Sequence, residues 1–287
     1  MSGIAPPART HVELIEVDTS DERRLEGFLY EPSARPSASV LLLHGKGGNA
    51  YSGASRFLPP LLAAAGVRCL ALNMRCHDLG YTRMDTPFVD LEHGDALVDG
   101  GMWEDLTLGK LDVAAGISFL IGADADDVVL AGHSSGGFYA LTHSPTDAQV
   151  RGRLLLSPLV SNRRPLPMWF GGEDGLERAL VSAQAHRDEG AGHTLIPTRG
   201  WYYAIGSDSL LQRAAEDPAV FEKSLDSCAT AVHILWGGKE GRRDAWRQLA
   251  SGRAHVTTEA IDGAEHNYVG HEEEVGRSVI RFLKTLT

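Results

Sequence analysis

The sequence predicts an α/β fold in which a mostly parallel sheet is covered by helices on both faces. Short continuous apolar runs, such as Val40-Leu41-Leu42-Leu43 and Val128-Val129-Leu130-Ala131, read as strands buried on both sides. Segments with helical spacing alternate with these runs, an order that implies crossover connections between parallel neighbours. A composition of 43% hydrophobic and 23% charged residues over 287 positions supports a sizeable core, as one large domain or two ordinary ones.

Taken in order, residues 11–17 and 25–30 alternate as two strands around the turn Asp18-Thr19-Ser20-Asp21, which predicts an antiparallel hairpin. The buried strand 40–43 follows a proline-containing loop and ends in His44-Gly45-Lys46-Gly47-Gly48-Asn49. A helix over 54–65 places Leu58, Leu61, Leu62 and Ala65 on one face, and strand 67–72 comes next. Residues 73–102 read as a long irregular connection, and 103–121 as a helix. Strands 128–131 and 153–158 continue the sheet. The rhythm then breaks over 159–230, where helical patterns near 174–188, 208–216 and 219–227 are separated by proline-bearing loops. This stretch reads as an inserted lid, so that 1–158 and 231–287 form the core. Strand 232–236, helix 242–251, strand 254–260 and helix 272–285 complete the chain, with no internal repeat or low-complexity tract.

The net charge of −11, from 27 basic and 38 acidic residues without a basic stripe, argues against nucleic acid and against an anionic membrane surface as partners. No run approaches the roughly 18 apolar residues of a membrane span. The first residues, Met1 to Pro7, lack the charged and apolar regions of a signal peptide. Cys69, Cys76 and Cys228 are too scattered for a disulfide framework, and an odd count fits a reducing compartment, so the expected location is the cytoplasm.

Chemistry concentrates where strand 128–131 stops. Gly132-His133-Ser134-Ser135-Gly136 has the Gly-x-Ser-x-Gly spacing that holds a serine on a tight strand-to-helix turn. A serine hydroxyl is a weak nucleophile and needs a base oriented by an acid. In this arrangement the acid and then the histidine follow the serine along the chain. His266 is the base candidate, in the loop between the last strand and the last helix. Glu240, four residues past strand 232–236, is the acid candidate. Asp244 is the alternative, and Asp262 is close in sequence but expected to point elsewhere. Backbone N–H donors for an oxyanion are expected from Ser135 and from Lys46 in the first glycine-rich loop. That loop fits neither a Walker phosphate loop nor a dinucleotide site. The pair His77-Asp78 and the run His271-Glu272-Glu273-Glu274 lack the further ligands a metal needs, so neither cofactor nor metal is expected.

These features together resemble the α/β-hydrolase family, from His44-Gly45 through the serine turn to His266, with an insertion where members often carry a lid. The resemblance implies an eight-stranded, mostly parallel sheet and a Ser134–His266–Glu240 triad. Two departures are the glutamate at the acid position and Asn73-Met74-Arg75-Cys76-His77-Asp78 after strand 67–72. The expected function is hydrolysis of a medium-sized, fairly apolar carboxylic ester, thioester or lactone, with a small molecule as partner. His44, Trp103, Trp169, Trp201 and Tyr202 are the candidates for substrate contact, while Lys46 and Arg75 could meet a substrate carboxylate or carbonyl but read rather as solvated loop cations. Carbon–carbon bond hydrolysis, acyl transfer and a non-catalytic ligand receptor are the alternatives. Oligomeric state is not legible.

Overall fold

The computed structural model describes residues 11–82, 98–143, 148–200, 203–241 and 243–286. Strands β1 (Val12–Asp18), β2 (Arg24–Tyr30), β3 (Ala38–Leu43), β4 (Val67–Leu72), β5 (Val128–His133), β6 (Val150–Leu156), β7 (Ala231–Gly237) and β8 (Val256–Ile261) form one eight-stranded sheet. Its order is β1-β2-β4-β3-β5-β6-β7-β8. β2 runs antiparallel to both β1 and β4, and every other pairing is parallel.

The apolar runs become central strands because their period-two alternation serves two cores at once. In β3, Leu41 and Leu43 face one cluster while Val40 and Leu42 face the other. In β5, Val128 and Leu130 divide from Val129 and Ala131 in the same way. Helices α2 (Gly109–Gly122), α3 (Ser135–Thr142), α7 (Val220–Ser227) and α8 (Arg243–Ala250) contribute Val113, Phe138, Phe221 and Trp246 to the first core. Helices α1 (Ala54–Ala64) and α9 (Glu272–Thr285) cover the opposite face with Leu58, Leu62, Val275 and Val279.

Helix α2 starts later than the expected residue 103. The Asp105 carboxylate accepts the N–H groups of Thr107 and Leu108, at 2.7 and 3.2 Å, and so holds a turn ahead of the helix. Residues 101–103 instead form a single 3₁₀ turn. The irregular connection also contains a short ribbon that pairs Tyr81–Thr82 with Val98–Asp99.

Between β6 and β7 lie α4 (Leu166–Phe170), α5 (Glu173–Asp188), a ribbon of Leu195–Pro197 with Ala204–Gly206, and α6 (Ser207–Ala215). Leu166, Trp169, Leu176, Ala183, Ile205 and Leu210 give this insertion a small core of its own. α7 falls within the expected insertion 159–230, yet Phe221 and Leu225 pack into the main core. Among the described residues no helix is long and apolar enough to cross a membrane. Cys69, Cys76 and Cys228 are buried free thiols.

The two-faced packing is testable by paired truncations. Leu42→Ala, at a wholly buried position, should cost about 3 kcal/mol. That corresponds to a fall of roughly 6–12 °C in the thermal midpoint. Leu14→Ala on the edge strand, 70% exposed, should change stability by less than about 0.5 kcal/mol.

Candidate active site

β5 ends at His133 and α3 begins at Ser135, so the chain reverses direction at Ser134, which takes φ 56° and ψ −118°. A non-glycine residue there is strained by about 1–3 kcal/mol. The flanking glycines make the turn possible. A Cβ at Gly132 would lie 2.1 Å from the Gly136 carbonyl oxygen, and one at Gly136 would lie 2.3 Å from that of Leu43. The turn is pinned by Ser134 N–H donating to the Leu156 carbonyl at 2.9 Å and by Leu159 N–H donating to the Ser134 carbonyl at 2.9 Å.

His266 lies in the loop after β8, and its Nδ1 is 3.2 Å from Glu240 Oε2. Glu240 closes a 3₁₀ turn directly after β7. Its Oε1 accepts the Gly237 N–H at 2.9 Å and the Ser157 hydroxyl. Ser157 Oγ is 2.7 Å from the Tyr268 hydroxyl, which also donates to the Leu235 carbonyl at 3.0 Å. Burial alone would raise the Glu240 carboxyl, but the bonds from His266, Ser157 and Gly237 outweigh it and hold the group below its ordinary range. Asp244, the alternative acid, is exposed in the first turn of α8, and Asp262 is exposed beside the histidine loop.

His133, inside the serine motif, donates from Nε2 to the His266 carbonyl at 2.8 Å, with the two rings 4.7 Å apart. Burial and the neighbouring His266 push His133 down to about 4, so it is neutral at physiological pH. Ser134, Ser135, Lys46, Glu240 and His266 line one cavity of about 560 Å³, with Phe57, Leu159, Met168 and Trp169 as apolar walls. The first glycine-rich loop runs beside the serine, since a Cβ at Gly45 would be 3.1 Å from Ser134 Cβ. Ser135 opens α3, where the first N–H groups of a helix have no intrahelical acceptor.

Residues 40–277 match the model of the alpha/beta hydrolase family. The chain belongs to that family. Similar solved structures include Est1E from Butyrivibrio proteoclasticus with ferulic acid bound, at TM-score 0.66 and 17% identity over 95% of this chain and 98% of that one. The Pyrococcus furiosus esterase Pf2001 aligns at TM-score 0.59 and 16% identity, over 96% and 93% of the two chains. The alpha/beta hydrolase GrgF from Penicillium sp. sh18 aligns at TM-score 0.70 and 13% identity, over 96% and 98%. At these identities the likeness is one of fold. No curated protein matches the sequence closely enough to count as a relative.

This alpha/beta hydrolase places its other sequence candidates unequally. Trp169 lines the cavity. His44 is outside the lining. It is buried, its Nε2 accepts the Met74 N–H at 3.0 Å, and desolvation pushes it down to about 4, so it joins β3 to the loop after β4. Trp103 also lies outside the lining, its Nε1 donating to the His193 carbonyl at 2.8 Å. Trp201 and Tyr202 lie outside the described residues. His77 bonds to Asp78 at 2.9 Å and stacks on Tyr81. Among the described residues no group of three or more His, Cys, Asp and Glu side chains is placed to hold a metal ion.

Neither cation expected in solvent is solvated. Arg75 pairs with Asp112 at 2.7 Å and with Asp21 at 2.8 Å. The Lys46 ammonium is buried, bonded to the Gly101 carbonyl and 3.1 Å from Glu104. Glu104 also pairs with Arg213 of α6 and accepts the Tyr139 hydroxyl of α3 at 2.8 Å. It thereby ties the first loop, the serine helix and the insertion to one carboxylate. Burial would raise the Glu104 carboxyl, but the charges of Arg213 and Lys46 outweigh it and hold it at about 2. A carboxyl depressed on folding stabilises the fold fully above its unfolded value near 4.5, and that contribution is lost as pH falls toward 2. Glu104→Gln should therefore cost about 3–5 kcal/mol in urea unfolding at pH 7, because it leaves two buried cations without their acid. The deficit relative to the natural chain should shrink on acidification below pH 4.

Proposed function

We propose that this alpha/beta hydrolase is a serine hydrolase that cleaves a carboxylic ester, thioester or lactone of medium size through an acyl-enzyme on Ser134. The observation that carries the reading is the bonded His266–Glu240 pair in the same cavity wall as a serine held at a strained strand-to-helix turn.

In this reading Ser134 Oγ attacks the substrate carbonyl while His266 Nε2 takes its proton. Glu240, ionised and braced by Ser157 and Gly237, keeps the other imidazole nitrogen protonated and stabilises the imidazolium. The N–H groups of Lys46 and Ser135 receive the developing oxyanion, each worth about 3–4 kcal/mol. His266 then protonates the leaving group, and a water activated by the same ring releases the acid. The apolar walls Phe57, Leu159, Met168 and Trp169 suit the carbon skeleton of such a substrate. The esterase among the similar folds supports an ester as the bond cleaved.

Ser134→Ala should lower kcat on p-nitrophenyl butyrate by roughly 10³-fold or more while leaving the thermal midpoint and circular dichroism unchanged. A variant with more than a tenth of the original kcat would exclude the serine as nucleophile.

A further inference from the structure

In a protein whose overall charge is −11, the wall of this cavity includes three cationic residues among those described. Among the described residues its lining includes Lys46, Arg56 and Arg213, and its one acid, Glu240, is engaged by His266, Ser157 and Gly237. The Lys46 and Arg213 side chains are 6% and 0% exposed and face the same carboxylate, Glu104. Arg213 gives one terminal nitrogen to Glu104 and the other to the Asn162 side-chain oxygen. Its Nε is buried with no hydrogen-bond partner among the described residues. Its guanidinium lies 5.9 Å from the centre of the Trp169 ring, itself a cavity wall. Burial and the Arg213 charge push the Lys46 ammonium down to about 8 against the pull of Glu104.

Resting on the serine-hydrolase reading, we propose that the substrate carries a carboxylate a few bonds from the cleaved carbonyl, received between Lys46 of the core and Arg213 of the insertion. A guanidinium N–H and an ammonium suit a carboxylate oxygen through charge-assisted hydrogen bonds. A single negative charge fits better than a phosphate dianion, which would set a second charge against Glu104. Phe57, Leu159 and Met168 are left for the apolar remainder.

The test compares kcat/KM for p-nitrophenyl hydrogen glutarate with that for p-nitrophenyl pentanoate, which lacks the terminal carboxylate. The charged ester should be preferred by about tenfold or more. Arg213→Gln keeps Lys46 and Glu104 as a neutral pair and should bring the ratio to about one. The natural chain supplies a second readout that needs no variant. Among the described residues the groups acting on Lys46 include Glu104 from the loop before α2, Arg213 from α6 and the titratable Cys76 from the loop after β4, and Tyr139 from α3 bonds to the same Glu104. The Glu104 carboxyl is held at about 2, while burial pushes the Tyr139 hydroxyl and the Cys76 thiol well up, so Lys46 is the member of the cluster that changes charge near neutrality. A group lowered to about 8 is charged below that pH, so the preference should fade as pH rises through 8. Hydrolysis of the pentanoate with a glutarate ratio at or below one overturns the subsite and leaves the hydrolase standing. Failure to hydrolyse either ester, or equal hydrolysis by Ser134→Ala, overturns the hydrolase reading and the subsite with it.

Discussion

The reversal of the chain at Ser134 constrains everything around it. A left-handed backbone at a serine is an unfavourable state, and it persists because the surrounding structure allows the backbone no other course. β5 lies between β3 and β6 in the middle of the sheet, and α3 must leave its end without a side chain at Gly132 or Gly136 to hold it away. The Leu156 carbonyl and the Leu159 N–H then fix the two peptide groups of the serine. Strain at this point is therefore tied to the packing of three strands, and the hydroxyl is presented at their carboxyl ends, where parallel sheets commonly bind ligands.

Two polar networks extend from that turn. One braces the acid: Glu240 is held by Ser157 and Gly237 on one oxygen and meets His266 on the other, with Tyr268 closing the network behind Ser157. The other lies on the side of Lys46, where Glu104 collects Lys46, Arg213 and Tyr139. Buried polar groups are costly unless they are satisfied, so such networks fix one arrangement of their members. Here they fix the loop after β3, the helix that opens at Ser135 and the insertion relative to one another.

The framework was legible because its signals are local. Continuous apolar runs gave the central strands, helical spacing gave α1, α5 and α9, and the glycine spacing singled out Ser134. Separation in sequence hid what depends on tertiary contact. Spacing alone left Glu240 and Asp244 open, and only the turn after β7 sets Glu240 against the histidine. Ser157 and Tyr268 carry no motif, since a serine after a strand and a tyrosine in a loop read as ordinary residues. Lys46 looked like a solvated cation because its acid lies 58 residues away, and Arg213 lay unremarked in a helical pattern. Trp103 and His44 looked like cavity residues from their loop positions, but each meets a backbone group elsewhere.

In the proposed reading His266 and Ser134 act as one unit at the carboxyl end of β5. Intact-mass and peptide-mapping spectrometry after exposure to a fluorophosphonate is the test, because that reagent bonds much faster to a serine whose proton is withdrawn by a neighbouring base. A single adduct is expected on the peptide carrying Ser134, lost in His266→Ala. An unmodified protein, or an adduct on another residue, would contradict it.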